Sequence, residues 1–451
     1  MAADGGVENL GYRQELKRSL SLADLLIYGL VFIGPIAPVA VFGIVFDASH
    51  GMVPLTYLVG LVAMIFTALS YMSMARAYPV AGSVYAYVSG SIGETVGFFA
   101  GWAILLDYLL LPTLCNVVCA IAVSAMVPAI PSWATVAALL TFTTTVNYLG
   151  IETTARANIA LLVLQMIVLA AFLGLGTVAL VQGVGGAHLS AAPFYNSAIS
   201  PGVILGAASL GVLSFLGFDA ISTLSEEAAG GARAIARATM ISLCIAAALF
   251  VAQTWLASLF LLGQTRFPTP NEADAAFYDI AFLVGGSWLK FMIAVPGILL
   301  GATAGSLTAQ AATARLIYSM ARDGQLPRAL AHVHPRRQVP ERAVFLVAGI
   351  NLVLSLTLVS SLGLLTSMVC FGALVGFVMV NLSVIAHFRH DPTRSWPRHI
   401  VSPLLGMIIT GFVLWNTDIH AKVAGLAWLA AGAVFYGILR WLGRSTEVAE
   451  T

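Results

Sequence analysis

Long apolar segments recur along the whole chain, and the stretches between them are short. A helix needs roughly 20 mainly apolar residues to cross the hydrocarbon core of a bilayer, which is about 30 Å thick. Twelve segments meet this requirement, and no long soluble domain fits between them. The predicted spans cover residues 22–46, 52–74, 94–126, 132–149, 156–182, 200–227, 236–263, 288–320, 342–361, 364–388, 399–417 and 422–442. The sequence therefore predicts an all-α membrane protein with 12 transmembrane helices.

Charged residues are too few to cover a water-soluble surface. Only 9% of the 451 residues are charged and 59% are apolar, whereas about a quarter of the residues of an average soluble protein are charged. Most of the surface must therefore face lipid. The net charge of +1 gives no indication of nucleic acid as a partner.

Basic residues indicate how the spans are oriented, because Lys and Arg accumulate in cytoplasmic loops. With the N-terminus inside, 18 of the 21 Lys and Arg residues fall on the inner segments. The outer segments hold only Arg266, Lys290 and Lys422. Missing one span would scramble this division, so we expect a multi-pass protein of the cell (inner) membrane with both termini in the cytoplasm.

The N-terminal segment and the cysteines give further expectations. Residues 1–21 are polar, and the apolar segment behind them is too long for the core of a secretory signal. We therefore expect a cytoplasmic tail here and a first span that begins near Leu22 and is retained. The four cysteines lie in apolar segments without the spacing of a zinc site, and are interpreted as packing residues. No cofactor and no metal are predicted.

Two of the predicted spans contain signals that interrupt a helix. The first has the sequence GPIAP at residues 34–38, where Pro35 and Pro38 each remove a helical donor and clash with the preceding turn. The sixth has the sequence SFLGFD at residues 214–219. Interruptions at corresponding positions of two repeats indicate a transport site. Spans one and six are in corresponding positions, because each is the first of a group of five spans. A simple proline kink in the first span is the alternative.

Two carboxylates lie deep within predicted spans. Asp219 follows the interruption of the sixth span, and Asp107 lies within a span of more than 30 residues. A charge at this depth costs at least about 2.5 kcal/mol on insertion scales, so each should face a cavity or a partner. For Asp107, a structural hydrogen bond to a neighbouring helix is the alternative.

Several motifs resemble those of the amino acid–polyamine–organocation (APC) superfamily of transporters. They are YPVAGSVYAY at residues 78–87, GFD at 217–219 with SEE at 225–227, and RLIYSMARDG at 315–324. The runs at residues 106–112 and 214–227 look most like those of the putrescine importer group. The likeness extends from about Tyr12 to Trp441.

The resemblance implies a LeuT-like fold, in which two inverted repeats of five helices are followed by two C-terminal helices. It divides the chain into a cytoplasmic tail at 1–21, a first repeat at 22–182, an extracytoplasmic loop at 183–199, a second repeat at 200–388, helices 11 and 12 at 389–443 and a cytoplasmic tail at 444–451. Members of the family move amines or amino acids, usually with protons. The resemblance thus implies a secondary active transporter and not an enzyme.

The chemistry of the first interruption bears on the substrate. Relatives that carry amino acids hold the substrate carboxylate with free N–H groups of an unwound stretch, and Pro35 and Pro38 offer none. A diamine instead needs carboxylates, carbonyl groups and aromatic faces. We therefore predict that Asp107 and Asp219 hold the ammonium groups, alone or with carbonyl groups of the broken helices. The predicted substrate-binding residues are Gly34, Pro35, Ile36, Asp107, Tyr108, Phe215, Gly217, Phe218 and Asp219.

Three residues are candidates for coupling or gating. Gln165 lies in span five, where several proton-coupled relatives carry a lysine, and a neutral amide there suits a cationic cargo. An interhelical hydrogen bond is the alternative for Gln165. Glu226 and Glu227 lie at the cytoplasmic end of span six beside Arg233 and Arg237, and an ion pair without substrate contact is their alternative.

Three polar residues of span eight are candidates for lining the pore. Thr303, Ser306 and Gln310 share one helical face at i, i+3 and i+7. That face is predicted to line the water path, and helix packing is the alternative of equal weight.

These features predict an importer of putrescine or a related small amine that works by alternating access, with protonation of a buried carboxylate as the source of coupling. The predicted partners are the amine or amino acid substrate, protons and the lipid bilayer, and no oligomeric state follows. An amino acid permease of the same superfamily, an amino acid/proton symporter, is the alternative. A membrane-embedded enzyme would need a His, Cys or acidic cluster with ligand spacing, which the sequence lacks. A channel is disfavoured because a pair of broken helices suits alternating access.

Overall fold

The computed structural model describes residues 7–196, 199–358 and 362–449. The elements assigned within these ranges are helices, and the strand-like pairing found there is a single parallel bridge between Leu20 and Ala228. The all-α fold class is confirmed. Some predicted segments reach beyond the described residues. They are the end of the span 342–361, part of the loop 183–199 (residues 197–198) and parts of the two tails (residues 1–6 and 450–451).

The first part of the chain forms α1 (Leu22–Ile33), α2 (Ala37–Ser49), α3 (Val53–Ala77), α4 (Ser83–Ser91), α5 (Glu94–Met126), α6 (Ser132–Leu149), α7 (Ile151–Val181) and α8 (Pro201–Leu213). The second part forms α9 (Gly231–Ser258), α10 (Pro270–Met292), α11 (Ile298–Arg322), α12 (Glu341–Thr357), α13 (Leu362–Phe388), α14 (Ser402–Asn416) and α15 (Ile419–Ala449). Short 3-10 helices cover Val7–Leu10, Val184–Gly186, Phe218–Leu224, Leu259–Leu261 and Arg328–Ala331, and π-helical turns cover Ile293–Gly297 and Pro397–Val401.

Within the described ranges, nine helical stretches are long and apolar enough to cross a membrane, or ten if the bent pair α1 and α2 counts as one span. Two of the twelve predicted spans fall outside this set. α6 has 18 residues but includes four threonines and an asparagine, and α12 has 17 residues. A multi-span helical protein is therefore confirmed, whereas the number 12 and the inverted repeat stay predictions.

Two connections in the second part of the chain are short or bent. α10 bends at Gly286, where φ is 69°. α14 ends at Asn416 and α15 begins at Ile419, so only a short turn separates them. α15 continues to Ala449, so the predicted tail at 444–451 is helical as far as it is described.

The first span starts and breaks for local reasons. Ser21 and Asp24 form a capping box, in which the Ser21 side chain accepts from the Asp24 N–H and the Asp24 carboxylate accepts from the Ser21 N–H. α1 therefore begins at Leu22, as predicted. It ends before Gly34, where φ is 80°, and before Pro35, which has no N–H. α2 then continues at an angle of 45° to α1, so the predicted interruption is confirmed.

α5 lies at the centre of the bundle. In its most apolar window 72% of the residues are buried inside the protein, compared with 11% for α15. α11 and α13 pack along α5, and a Cβ on Gly372 of α13 would lie 2.7 Å from the backbone nitrogen of Asp107. A small residue at such a contact allows close approach of two helices. The packing places Asp107 in the interior of the bundle.

Candidate substrate-binding site

The second break is built around Gly217. α8 ends at Leu213, a run of turns follows, and a 3-10 helix begins at Phe218. Gly217 has a φ of 108°, which favours glycine, and a Cβ there would collide with the ring of Phe32. The N–H of Gly217 donates to Oδ1 of Asp219 over 3.2 Å. The predicted interruption is confirmed, and its backbone helps to orient the carboxylate.

The Asp219 carboxylate is tied to α5 through a tyrosine. The hydroxyl of Tyr108 donates to Oδ2 of Asp219 over 2.5 Å, and both side chains are fully buried. The backbone carbonyl of Tyr108 in turn accepts a hydrogen bond of 2.5 Å from the hydroxyl of Thr313 on α11. The contact between Tyr108 and Asp219 joins two of the residues that the sequence predicted for the site.

Asp107 has the most unusual environment of the predicted residues. Its side chain is fully buried, and neither carboxylate oxygen has a hydrogen-bond partner among the described residues. Asp107 directly precedes Tyr108, whose hydroxyl donates to Asp219. A buried carboxyl group without a partner is costly. The structural hydrogen bond to a neighbouring helix, which was the alternative for Asp107, is not present among the described residues.

Aromatic side chains pack around the second break and Tyr108. The set consists of Phe32, Tyr71, Tyr87, Tyr108, Phe218 and Phe377. The centroids of neighbouring rings are 5.4 to 6.2 Å apart. The hydroxyls of Tyr71 and Tyr87 are buried without a hydrogen-bond partner at hydrogen-bond distance among the described residues. Carboxylates among aromatic faces form an environment that suits an organic ammonium group.

The first break offers few free donors. The Gly34 N–H donates to the carbonyl of Leu30, and the Ala37 N–H donates to the carbonyl of Gly34. Gln253 of α9 donates its side-chain amide to the carbonyl of Pro35 over 2.9 Å. A carboxylate ligand would need free N–H groups here, and these two are already engaged.

Two predicted residues lie apart from the carboxyl groups. The ring of Phe215 packs against those of Tyr57 and Phe250, with centroids 6.2 and 5.2 Å away. Ile36, in the first break, lies beside a very small apolar cavity together with Phe172 and Phe277.

One end of the bundle is closed by a lid of aromatic contacts, and we call it the lid face. It consists of α10 and the loop before it, packed on α2. Phe277 of α10 has its ring centroid 5.5 Å from that of Phe42 and 4.7 Å from that of Phe172. Phe267 of the loop packs on Phe46 at 5.2 Å. No side chain fits at position 43 of α2, because a Cβ there would overlap the backbone of α10.

The opposite end is closed by buried ion pairs, and we call it the tail face. The guanidinium of Arg315 donates to both oxygens of Glu227, over 2.5 and 2.9 Å. The guanidinium of Arg322 donates to both oxygens of Glu226, over 2.9 and 3.2 Å. The carboxylate of Glu226 also accepts from the N–H of Ala81 over 3.0 Å. These bonds join the segment after the second break to α11.

The N-terminal segment lies across the tail face. Tyr12 packs under the guanidinium of Arg322, with 4.1 Å between the guanidinium carbon and the ring centroid. Glu15 accepts a hydrogen bond of 3.0 Å from the hydroxyl of Tyr318. The N–H groups of Ser19 and Leu20 both donate to the backbone carbonyl of Glu227. Residues 12–20 therefore add a further layer to this closure.

The ion pair that was the alternative for Glu226 and Glu227 is present, and the arginines that form it belong to α11. Arg233 and Arg237 follow the two glutamates closely in sequence, but their side chains are exposed. A turn separates the glutamates from α9, so sequence neighbours are not their partners.

The polar face of α11 makes interhelical hydrogen bonds. Ser306 donates to Asn116 of α5 over 2.9 Å, and Gln310 donates to Thr144 of α6 over 2.8 Å. Both side chains are fully buried, whereas Thr303 is partly exposed. These contacts favour the helix-packing alternative for Ser306 and Gln310.

Gln165 lies on α7, fully buried, and neither amide atom has a hydrogen-bond partner among the described residues. Asn158, seven residues earlier on the same helix, is buried in the same way with both amide atoms unpaired. An interhelical bond does not account for Gln165. Asn158 is not among the predicted site residues, although its position two turns from Gln165 on an apolar helix is a signal.

Four of the aromatic residues are also not among the predicted site residues, namely Phe32, Tyr71, Tyr87 and Phe377. Each lies in an apolar segment where an aromatic residue is ordinary, so no local signal marked it. Across the described ranges, no group of His, Cys, Asp and Glu side chains has the arrangement of a metal site.

Comparison with known proteins gives one consistent family. The family model described as amino acid permease matches residues 22–439. The chain is similar to the low-affinity putrescine importer PlaP of Escherichia coli (strain K12), with 35% identity over 434 residues and 94% of each chain covered. It is similar at 27% identity to the branched-chain amino acid permease BcaP of Bacillus subtilis (strain 168), with 94% of this chain and 93% of that protein covered. A methylthioribose transporter of the same organism is also 27% identical, with the same coverage.

Proposed function

Because the chain belongs to the amino acid permease family of membrane transporters, we propose that it imports putrescine or a related small diamine by alternating access, coupled to protons. In this proposal the protein lies in the cell (inner) membrane and crosses it 12 times, with the inverted repeat described above. The tail face and both termini are then cytoplasmic, and the lid face is external.

The observation that carries the proposal is the unpaired carboxyl group of Asp107, the residue before the tyrosine that binds Asp219. Carboxylate oxygens are acceptors, and an alkylammonium group supplies only donors. A diamine would therefore complete the missing hydrogen bonds of Asp107, while Asp219, already oriented by Tyr108, would hold the second ammonium group. The rings around the second break and Tyr108 would offer their faces to the cation.

The state of the first break supports an amine over an amino acid. An amino acid would bring a carboxylate, which needs N–H donors, and those of Gly34 and Ala37 are engaged. Pro35 has no donor to give. The similarity to a branched-chain amino acid permease keeps an amino acid/proton symporter as the competing function, and substrate competition separates the two.

Proton coupling is proposed to run through the same carboxyl groups. A proton can take the place of the ammonium group on a carboxylate when the substrate leaves, which would couple the two movements. Gln165, buried and unpaired near the first broken span, is proposed to serve the coupling step without placing a positive charge next to a cationic cargo. Uptake that ignores both a protonophore and the external pH would contradict the coupling.

The test is uptake of labelled putrescine into proteoliposomes under an imposed proton gradient, with unlabelled amines and amino acids as competitors. We expect uptake to fall at least about 10-fold in Asp107→Asn and in Asp219→Asn, because each removes one charge-assisted contact of about 1.5–3 kcal/mol. Asp274→Asn, at an exposed position on α10, is the matched control and should transport normally. Near-normal uptake in both site variants, or competition by amino acids alone, would refute the proposal.

A further inference from the structure

A cavity opens at the tail face, and neither Asp107 nor Asp219 is among its lining residues. Its volume is about 410 Å³, within the range of small-molecule sites. Its walls come from the N-terminal segment, from α4 and the loop before it, from the first turn of α5 and from the turn after α11. The lining residues that matter here are Tyr12, Tyr78, Tyr85, Ser89, Glu94 and Asp323.

The charge around this cavity is negative. Glu94 and Asp323 line it, and no Lys or Arg stands among the described lining residues. Arg322 lies over Tyr12 and is already engaged, because both oxygens of Glu226 accept from its guanidinium. The carboxylates of Glu94 and Asp323 therefore have no cation of their own among the described lining residues.

The polar groups of the wall are held in place. The hydroxyl of Tyr85 donates to Oδ2 of Asp323 over 2.9 Å, and the hydroxyl of Tyr78 donates to the backbone carbonyl of Gly90 over 2.7 Å. With these hydroxyls engaged, the tyrosines offer ring surface to the cavity. The hydroxyl oxygen of Ser89 is buried without a hydrogen-bond partner among the described residues. The wall thus combines acceptors and aromatic surface, as in the central site.

Asp323 is partly buried in the wall of this cavity. Burial raises the pKa of its carboxyl group above the ordinary value, although the hydroxyl of Tyr85 and the guanidinium of Arg322 act in the opposite direction. An incoming ammonium group would offset the cost of keeping this carboxylate ionised.

We propose that this cavity is a second binding site, which takes a small alkylammonium compound such as putrescine. The ligand would lie between Tyr12 of the N-terminal segment, Tyr85 of α4 and Asp323 after α11. Those three parts must separate when the tail face opens, so a bound amine favours the closed state. Amine that accumulates on this side then slows further uptake. The choice of probe rests on the proposed function, but the binding itself does not.

The test is equilibrium binding of labelled putrescine to the purified full-length protein in nanodiscs. The wild type should bind two equivalents, and Asp323→Asn and Asp219→Asn should each bind one. Asparagine keeps the acceptor for Tyr85, so the loss reports charge. Glu94→Gln, at an exposed position in the first turn of α5, should weaken the second site about 3- to 10-fold, and it decides the matter if Asp323→Asn does not fold. Asp274→Asn at the lid face is the control.

The outcomes separate this inference from the proposed function. If Asp323→Asn and Glu94→Gln bind as the wild type does, the second site does not exist. If Asp219→Asn binds as the wild type does while Asp323→Asn loses an equivalent, the second site stands and the proposed central amine site fails. Slowing of uptake by preloaded amine in the wild type, but not in Asp323→Asn, would support the feedback role, and equal slowing in both would contradict it.

Discussion

The two ends of the bundle are closed by opposite chemistry. At the lid face, rings such as Phe42, Phe172 and Phe277 meet each other. At the tail face, Arg315 and Arg322 each hold a buried carboxylate. An apolar contact is lost in proportion to the area exposed, at roughly 25 cal/mol per Å². Removing one partner of a buried ion pair strongly destabilises the protein, because the other charge stays buried without a partner. If the whole interface opens to water, both partners regain hydration.

The difference suggests how each end behaves during transport. Opening the lid face exposes apolar rings to water. The free-energy cost of opening therefore grows with the apolar area that becomes exposed. Opening the tail face separates charges that water solvates, so the loss of the pair is partly offset. We therefore expect the tail face to depend on a few paired residues and the lid face on the total area of contact.

The largest effect is expected from breaking one buried pair. Arg315→Met leaves Glu227 buried without its partner, which should lower the free energy of unfolding by about 3–5 kcal/mol. The double variant Arg315→Met/Glu227→Leu removes both charges and should recover much of that loss. Thermal unfolding in detergent measures both variants, with the exposed Arg233→Met as control. A double variant no more stable than the single one would contradict this account of the tail face.

A smaller and more graded effect is expected at the lid face. Phe277→Leu keeps an apolar side chain but removes two aromatic pairs of about 0.5–1.5 kcal/mol each, so we expect a loss of about 1–3 kcal/mol. Phe282→Leu, on the same helix but more than half exposed, is the matched control. If Phe277→Leu destabilises as strongly as Arg315→Met, the contrast between the two ends does not hold.

The outer layer of the tail face should contribute less than the pairs beneath it. Tyr12→Leu removes the ring under the guanidinium of Arg322, a contact worth about 0.5–1 kcal/mol at a partly exposed site. Tyr12→Phe keeps the ring and should be close to the wild type. Thermal unfolding of both variants without amine present measures this, and equal losses in the two would assign the effect to the hydroxyl.

The smallest effect is expected from the exposed pair of Lys17 and Glu152, 2.8 Å apart with about half of each side chain exposed. Solvent screens such a pair, and holding two long side chains together costs entropy. Lys17→Ala should leave unfolding unchanged within error at moderate salt. A clear loss that disappears when salt is added would show that surface charges also hold the tail face closed.

The sequence was informative where local chemistry decides the structure. Pro35 and Gly217 mark the two breaks because a missing donor and a left-handed φ are properties of the residues themselves. It was uninformative where partners come from distant helices. The pairing of Glu227 with Arg315 follows from packing, and a usable signal existed: Arg315 and Arg322 are seven residues apart and so share one face of α11. The packing of rings from α1, α3, α4 and α13 around the second break had no local signal.

The backbone bonds between the N-terminal segment and Glu227 have a mechanical consequence. Ser19 and Leu20 donate to the carbonyl of Glu227, and Ala229 donates to the carbonyl of Leu20. Backbone hydrogen bonds thus join the segment before the first interrupted span to the segment after the second one. Most amino acid substitutions leave such backbone bonds intact. We therefore expect the two spans to move together at this end. Leu20→Pro would remove one of the three bonds, the one donated by the Leu20 N–H.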